Sequence, residues 1–305
     1  MTIIFEQILN GVQFGIMLFL LAAGLTLIFG IMDVINLAHG SLYMVGAYAA
    51  AYTAEKTGSF LLAIPAGLLI TGLVGMIMEY VVVRRLYKRD HLDHVLATFA
   101  LILIFNQIAI MIFGRAPLFV AVPSFLKGSV TLMPGLDYPV YRIVIIGAGL
   151  ALAAGLYALI NKTRLGMLIR AGATHRDMVR ALGVDIKWLY TLVFGLGALM
   201  AGLAGLMAGP LLAVQPGMGE HILIMTFVVV VIGGVGSVRG AFAGAMIVGL
   251  VDTLTRAFAP ALLRGMMTSG SEADALAAGL SSMSVYVLMA LVLIVRPKGL
   301  LPAHA

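Results

Sequence analysis

The chain contains no cysteine. Disulfides, thiolate metal centres and cysteine nucleophiles are excluded, while the redox compartment stays open. Charge is nearly as scarce, with Asp, Glu, Lys and Arg making up 10% of 305 residues, against about 25% in soluble globular domains. A chain with 62% hydrophobic residues and a mean hydropathy of +1.11 cannot clothe a water-exposed surface. It is expected in a lipid bilayer. Also missing are a G-x-x-x-x-G-K-[ST] phosphate loop, an H-E-x-x-H zinc pair and a G-x-S-x-G nucleophile elbow, so no machinery for hydrolysis is recognisable. The segment G-G-V-G-S-V-R-G, Gly233 to Gly240, lacks the G-x-G-x-x-G spacing and any βαβ setting; nucleotide binding there is rejected. The opening M-T-I-I-F-E-Q-I-L-N has no basic residue and no small-residue cleavage site, and no removable signal peptide is expected. The net charge of +6 is read through the basic inner loops of membrane proteins and not through nucleic acid.

A helix crossing the apolar layer needs about 20 residues. Runs of that order lie at Ile8 to Met32, Phe60 to Val83, Val95 to Phe113, Tyr141 to Ile160, Leu189 to Gly209 and Ala241 to Leu262. Shorter runs at Ser41 to Ala54, Ile222 to Ile232 and Leu280 to Val295 are expected as short, tilted or broken helices. The fold class is therefore all-α: a polytopic transmembrane bundle of about 8 to 10 spans. It forms a single domain over residues 1–305, with no second soluble domain. With nine spans and the amino end outside, thirteen Lys and Arg residues fall inside: Arg84, Arg85, Lys88, Arg89, six between residues 161 and 188, Arg239, Arg296 and Lys298. Six fall outside: Lys56, Arg115, Lys127, Arg142, Arg256 and Arg264. That bias favours this orientation. Pro117, Pro123, Pro134 and Pro139 rule out a long helix between Gly114 and Pro139, which is expected as an ordered cap or re-entrant turn. Gly265 to Gly279, carrying Glu272 and Asp274, is expected as an exposed outer loop.

Glycine is abundant, at 36 residues, with G-x-x-x-G spacings at Gly11/Gly15, Gly205/Gly209 and Gly240/Gly244. Such spacings let helices approach closely in lipid; packing is the plainer reading, rocking during transport the other. Two polar, glycine-bearing breaks interrupt the apolar runs, Asp33 to Gly40 and Gly233 to Gly240, a short likeness that hints at two related halves. Irregular backbone at membrane depth must be buried in protein or line a wet cavity. Asp33, Asn36 and His39 are therefore candidates for the lining or gate of a translocation path, or else for a helix cap and hydrated turn at the inner surface. Within the spans, Asn106 and Gln107 either line a path or bond between helices. Glu79, near Arg84 and Arg85, and Asp252, four residues before Arg256, read as structural ion pairs.

Asn161 to Trp188 holds six of the nineteen Lys and Arg residues. Its Leu165, Leu168, Ile169, Met178, Val179 and Leu182 are spaced for short amphipathic helices. A loop of this kind is built to meet a cytoplasmic partner, or is simply a solvated basic loop. Here a resemblance becomes specific. G-L-T-L-I-F-G-I-M-D-V-I-N-L-A-H-G-S-L-Y-M-V-G-A-Y at Gly24 to Tyr48, the loop Thr163 to Trp188, V-V-V-V-I-G-G-V-G-S-V-R-G-A-F-A-G-A at Val228 to Ala245 and R-P-K-G-L at Arg296 to Leu300 resemble the LivH-type permeases of bacterial branched-chain amino-acid ABC importers.

The resemblance implies a multi-pass subunit of the bacterial inner membrane, surrounded by membrane lipid. Its implied partners are a second homologous permease, two ATP-binding cassette subunits and a periplasmic substrate-binding protein, with no nucleic acid. It implies no cofactor in this chain, ATP and Mg being bound by the ATPase subunits. It also implies that 161–188 is a cytoplasmic coupling loop. There Arg176 and Arg180 are expected to pair with the ATPase surface, Ala181 to give a close fit and Gly183 to end the helix. Relatives also handle urea, short amides and aromatic acids, and no residue decides among these cargoes. The rival reading is an ion-gradient-driven secondary carrier for a small organic solute, for which Asp33, His39, Glu79 and Asp252 look too scattered to form a relay. A passive channel is a third.

Overall fold

The structure is a computed structural model and describes residues 2–174, 176–267 and 269–302, with Arg176 and Asp177 described by their backbone alone. Helix α1 (Thr2–Met32) is buried without interruption from Gly15 to Ile28. A helix apolar on every face belongs at the centre of a bundle, and α1 is the pillar on which the rest is built. Its 31 residues measure roughly 46 Å at 1.5 Å per residue, well beyond an apolar layer of about 30 Å.

Around it stand α2 (His39–Thr57) and α3 (Phe60–Met78), which runs through a π-helical turn at Glu79–Val83 into the short α4 (Arg84–Leu86). Next come α5 (His91–Phe113), strands β1 (Ser129–Met133) and β2 (Leu136–Pro139), and α6 (Val140–Lys162). Helices α7 (Arg164–Thr174) and α8 (Arg176–Ala181) form the basic elbow. Then follow α9 (Ile186–Ala208), α10 (Met218–Gly233), α11 (Val238–Arg264) and α12 (Gly270–Val295). Among the described residues seven helices are long and apolar enough to span a membrane, counting Phe60–Leu86 as one. The weak runs Ser41 to Ala54 and Ile222 to Ile232 become α2 and α10, the latter only 16 residues long. Roughly 24 Å of helix does not cross the layer unaided.

Two expectations are corrected. The third weak run is part of a 26-residue helix that begins at Gly270, so most of the outer loop expected between Gly265 and Gly279 is helix. The alanines there favour helix, Glu272 suits its first turn, and Asp274 joins Arg264 at the end of α11 by two bonds of 2.8 and 2.7 Å. The outer stretch Gly114 to Pro139 is an ordered cap, as its prolines require, but it includes a small antiparallel hairpin of β1 and β2 beside the otherwise helical fold. The buried Tyr138 hydroxyl donates to the Asn10 side chain at 3.2 Å, and the Tyr141 hydroxyl to the Met207 carbonyl at 2.9 Å. Leu118 and Val214 exchange both backbone bonds at 2.9 Å, stitching this cap to the segment between α9 and α10.

The helices meet backbone to backbone. A Cβ on Gly15 would lie 2.8 Å from the Ala245 carbonyl of α11, and one on Gly46 would lie 2.4 Å from Gly202 of α9. Gly240 and Gly233 abut in the same way at the second break. Of the pair Gly205/Gly209 only Gly205 is tight, 2.0 Å from the Tyr43 carbonyl, against 3.4 Å for Gly209 and Val120. The R-P-K-G-L stretch folds onto the second break. Its Leu300 N–H and that of the following Leu301 donate to the Ile232 and Gly233 carbonyls at 2.8 and 3.0 Å, satisfying the end of α10.

Gly15→Val is expected to separate α1 from α11 and lower stability in detergent by about 1–3 kcal/mol. Gly155→Val, where nothing lies within 4 Å of the added Cβ, should leave the melting point unchanged. Equal losses at both sites would contradict the packing role. In this cysteine-free chain, Ser271→Cys should react with an impermeant thiol reagent added outside cells; reaction only from inside-out vesicles would reverse the orientation.

Candidate functional site

At Asp33, with φ +56°, the chain leaves α1 and folds back along it. The His39 ring Nε2 lies 3.2 Å from the Leu21 carbonyl, and a Cβ on Gly24 would sit 2.9 Å from the same nitrogen. Leu21 is eleven residues before the end of α1, roughly 16 Å along its axis. Helix α2 therefore starts inside the bundle and not at its inner surface. The Leu37 N–H donates to Thr98 of α5 at 3.2 Å. Asn36 and His39 are fully enclosed, and the Asn36 amide has no partner among the described residues. Irregular backbone at this depth is buried in protein, as it must be when no water reaches it. A Cβ on Gly40 would lie 2.2 Å from the Gly219 carbonyl, so the two short helices α2 and α10 begin against each other.

The other two candidates lie elsewhere. Asn106 is seven residues before the end of α5, roughly 10 Å along the axis from its C-terminal end. Its Oδ1 accepts the Gly217 N–H at 3.0 Å, and its Nδ2 donates to Glu220 Oε1 at 2.5 Å. Gln107, Glu220 and His221 are exposed, while Asn106 is half-buried. The four candidates thus form two groups, one enclosed and one on an open face, that the fold does not bring together. Glu220 escaped the reading of the sequence; the available signal was an acid in the first turn of a weak apolar run just after Gly217.

Glu79 is fully buried and fully bonded. Arg84 grips it at 3.2 and 3.0 Å, the Thr191 hydroxyl of α9 donates at 2.7 Å, and the Tyr87 hydroxyl donates to Oε1. The π turn explains why Arg84 and not Arg85 takes the role: a wider turn brings residue i+5 onto the face of residue i. Burial, with the bond to Glu79, raises the Tyr87 hydroxyl far above the usual tyrosine range. Asp252 pairs with Arg256 at 2.9 Å, at the spacing visible in the sequence.

On the elbow, Ile169 and Val179 are buried against the bundle, whereas Met178 and Leu182 are 63% and 77% exposed. Arg180, Ala181 and Gly183 are exposed beside them. Gly183 has φ +86°, and its N–H bonds the Arg180 carbonyl at 3.0 Å, ending α8. Arg176 opens α8; its side chain and all of His175 lie outside the described residues. Asp185 then caps α9, accepting the Lys187 N–H at 2.9 Å. Two turns into α9 stands Thr191, the partner of Glu79, so the elbow is tied to α3 through a buried polar lock.

Long apolar helices around a buried pillar, enclosed irregular backbone between them and a basic elbow with exposed apolar side chains define a multi-pass helical membrane protein. A family model described as "Branched-chain amino acid transport system / permease component" matches residues 7–295. The chain belongs to that family, whose members are components of transport systems. It is 29% identical to the high-affinity branched-chain amino acid transport permease BraD of Pseudomonas aeruginosa, over 97% of this chain and 95% of that one. It is 27% identical to LivH of Escherichia coli over 97% and 94%, and 27% identical to a probable LivH of Methanocaldococcus jannaschii over 80% and 79%. Among solved structures, PsaBC from Streptococcus pneumoniae in complex with Fab aligns with 95% of this chain and 91% of its own, at 12% identity and a TM-score of 0.47.

Arg84→Ala strands the Glu79 carboxylate in the interior and should cost about 3–5 kcal/mol in detergent unfolding. Adding Glu79→Gln should recover most of the loss. Strictly additive losses would mean that the two groups are not a pair.

Proposed function

We propose that this chain is the membrane-spanning subunit of an ATP-driven importer of branched-chain amino acids in a bacterial inner membrane. In this reading it pairs with a second related permease, rests on two ATP-binding cassette subunits and receives cargo from a periplasmic binding protein. ATP and Mg belong to the ATPase subunits. The cargo is taken from the names of the relatives, and the observation that carries the mechanism is the elbow. Met178 and Leu182 are apolar side chains left in the open on a polar loop, a surface that gains by being covered.

Closure of the motor dimer would press on α8, with Arg176 and Arg180 pairing across the contact, Ala181 allowing close approach and Gly183 ending the helix. Asp185 anchors the next helix, so the push travels along α9. There Thr191 meets Glu79 of the π turn, and Gly197 meets Gly24 of α1. Glycine contacts permit sliding without side-chain clashes, and His39, whose ring lies against Gly24, is placed to feel it together with the nearby Asn36. Asn106 and Gln107, on the open face, are assigned to the path. The secondary-carrier alternative needs free ionisable groups along a relay, and the buried acids Glu79 and Asp252 are each held by arginine.

Arg180→Glu in the reconstituted importer should cut uptake by about tenfold, the equivalent of ~1.4 kcal/mol at the contact, while the isolated subunit melts normally. Unchanged uptake would remove the elbow from the coupling role. Uptake by the chain alone under an ion gradient would overturn the importer reading altogether.

A further inference from the structure

Among the described residues three helix-borne acids are matched by arginine: Glu79 by Arg84, Asp252 by Arg256 and Asp274 by Arg264. Of the acids without such a partner, Glu6, Glu55, Asp93 and Glu272 lie close to the ends of the long helices α1, α2, α5 and α12, whereas Glu220 stands on the short α10. It faces the Asn106 amide at 2.5 Å through one oxygen, and its other oxygen makes no hydrogen bond or ion pair among the described residues. Its depth follows from two contacts. Asn106 lies roughly 10 Å along the axis from the C-terminal end of α5 by helical rise, and the neighbouring Gly219 abuts Gly40, the residue after the His39 that bonds Leu21 in the middle reaches of α1. Glu220 is nevertheless exposed on this chain, with Gln107 and His221 also exposed and Ile224, one turn on, 49% exposed. An ionisable group at such depth faces a bundle interior, a partner or water, because lipid would make it prohibitively costly.

We infer that Glu220 is a cation-binding carboxylate of the translocation path, held by Asn106 to receive the ammonium group of the passing solute. The inference rests on the importer reading and deepens it. Asn106 aims the carboxylate without neutralising it, since an amide donates a hydrogen bond but carries no charge. Apart from Gln107, the exposed side chains of α5 near Asn106 are apolar: Leu103, Ile104 and Ile108. A solute with an apolar side chain and an ammonium group matches that combination: the side chain slides over the leucine and isoleucine surface while the ammonium pauses at Glu220. An unmatched carboxylate in a low-dielectric setting also concentrates cations in the space before it.

The absence of cysteine makes the test direct. In the assembled importer Glu220→Cys should react with water-soluble methanethiosulfonates, and reaction should slow when substrate-loaded binding protein and ATP drive turnover. Ile224→Cys, one helical turn away, should react faster with the trimethylammonium reagent than with the sulfonate reagent. That preference should fall by about tenfold when Glu220→Gln is added, the scale expected of a nearby focused charge. Glu220→Gln should also reduce amino-acid uptake with little change in ATP hydrolysis, and Glu220→Asp should restore part of it. An unreactive Glu220→Cys would place the side chain in a subunit interface and overturn the inference, as would a reagent preference indifferent to Glu220→Gln. The reagent preference does not depend on which cargo is carried. A complex that labels as expected but moves no amino acid would therefore count against the importer reading alone.

Discussion

Helices in this protein touch through their backbones. In lipid an apolar side chain gains little by leaving the acyl chains, so association depends on dispersion between closely packed surfaces. Glycine supplies those surfaces: Gly15 against α11, Gly46 against Gly202, Gly24 against Gly197 and Gly40 against Gly219. The arrangement around α1 follows from these contacts. So does the depth at which α2 and α10 begin, because only a glycine at each start lets their ends abut.

Polar groups then divide by what surrounds them. Where the bundle encloses an acid, a partly exposed arginine reaches in to pair with it, as Arg84 does with Glu79, since an unpaired charge there would be strongly destabilising. That lock does more than neutralise, because Thr191 joins it from the helix that follows the elbow. The elbow, the π turn of α3 and the start of α9 are thereby joined through one set of hydrogen bonds. On the open face the rule changes, and Glu220 is held by an amide beside apolar side chains.

Much of this was legible in the residues. Long apolar runs announced the spans, the glycine-bearing breaks fell where α1 and α10 end, and the Asp252 to Arg256 spacing gave an ion pair on one helix. Each rests on neighbours close in sequence, where periodicity carries the information. Less legible was anything set by contacts across the fold. Arg84 and Arg85 were equivalent partners for Glu79 until the π turn chose one. The polar stretch after Gly265 looked like a loop until Asp274 met Arg264 across the turn. Nothing local tells that His39 reaches back to Leu21, eleven residues from the end of its helix, or that Asn106 and Glu220 meet from positions 114 residues apart.

By itself the sequence determined that this is a multi-pass helical protein with a basic elbow, and its ordered motifs pointed to a permease family. Hydropathy and charge act on any segment regardless of its neighbours, and lipid leaves a long apolar segment no alternative to helix. The tertiary structure alone decided which polar residues are enclosed and which stand open, putting Asn36 and His39 inside the chain and Asn106 with Glu220 at its face. Depth and exposure belong to pairs of helices and not to residues. They are settled only when glycine surfaces choose which backbones touch.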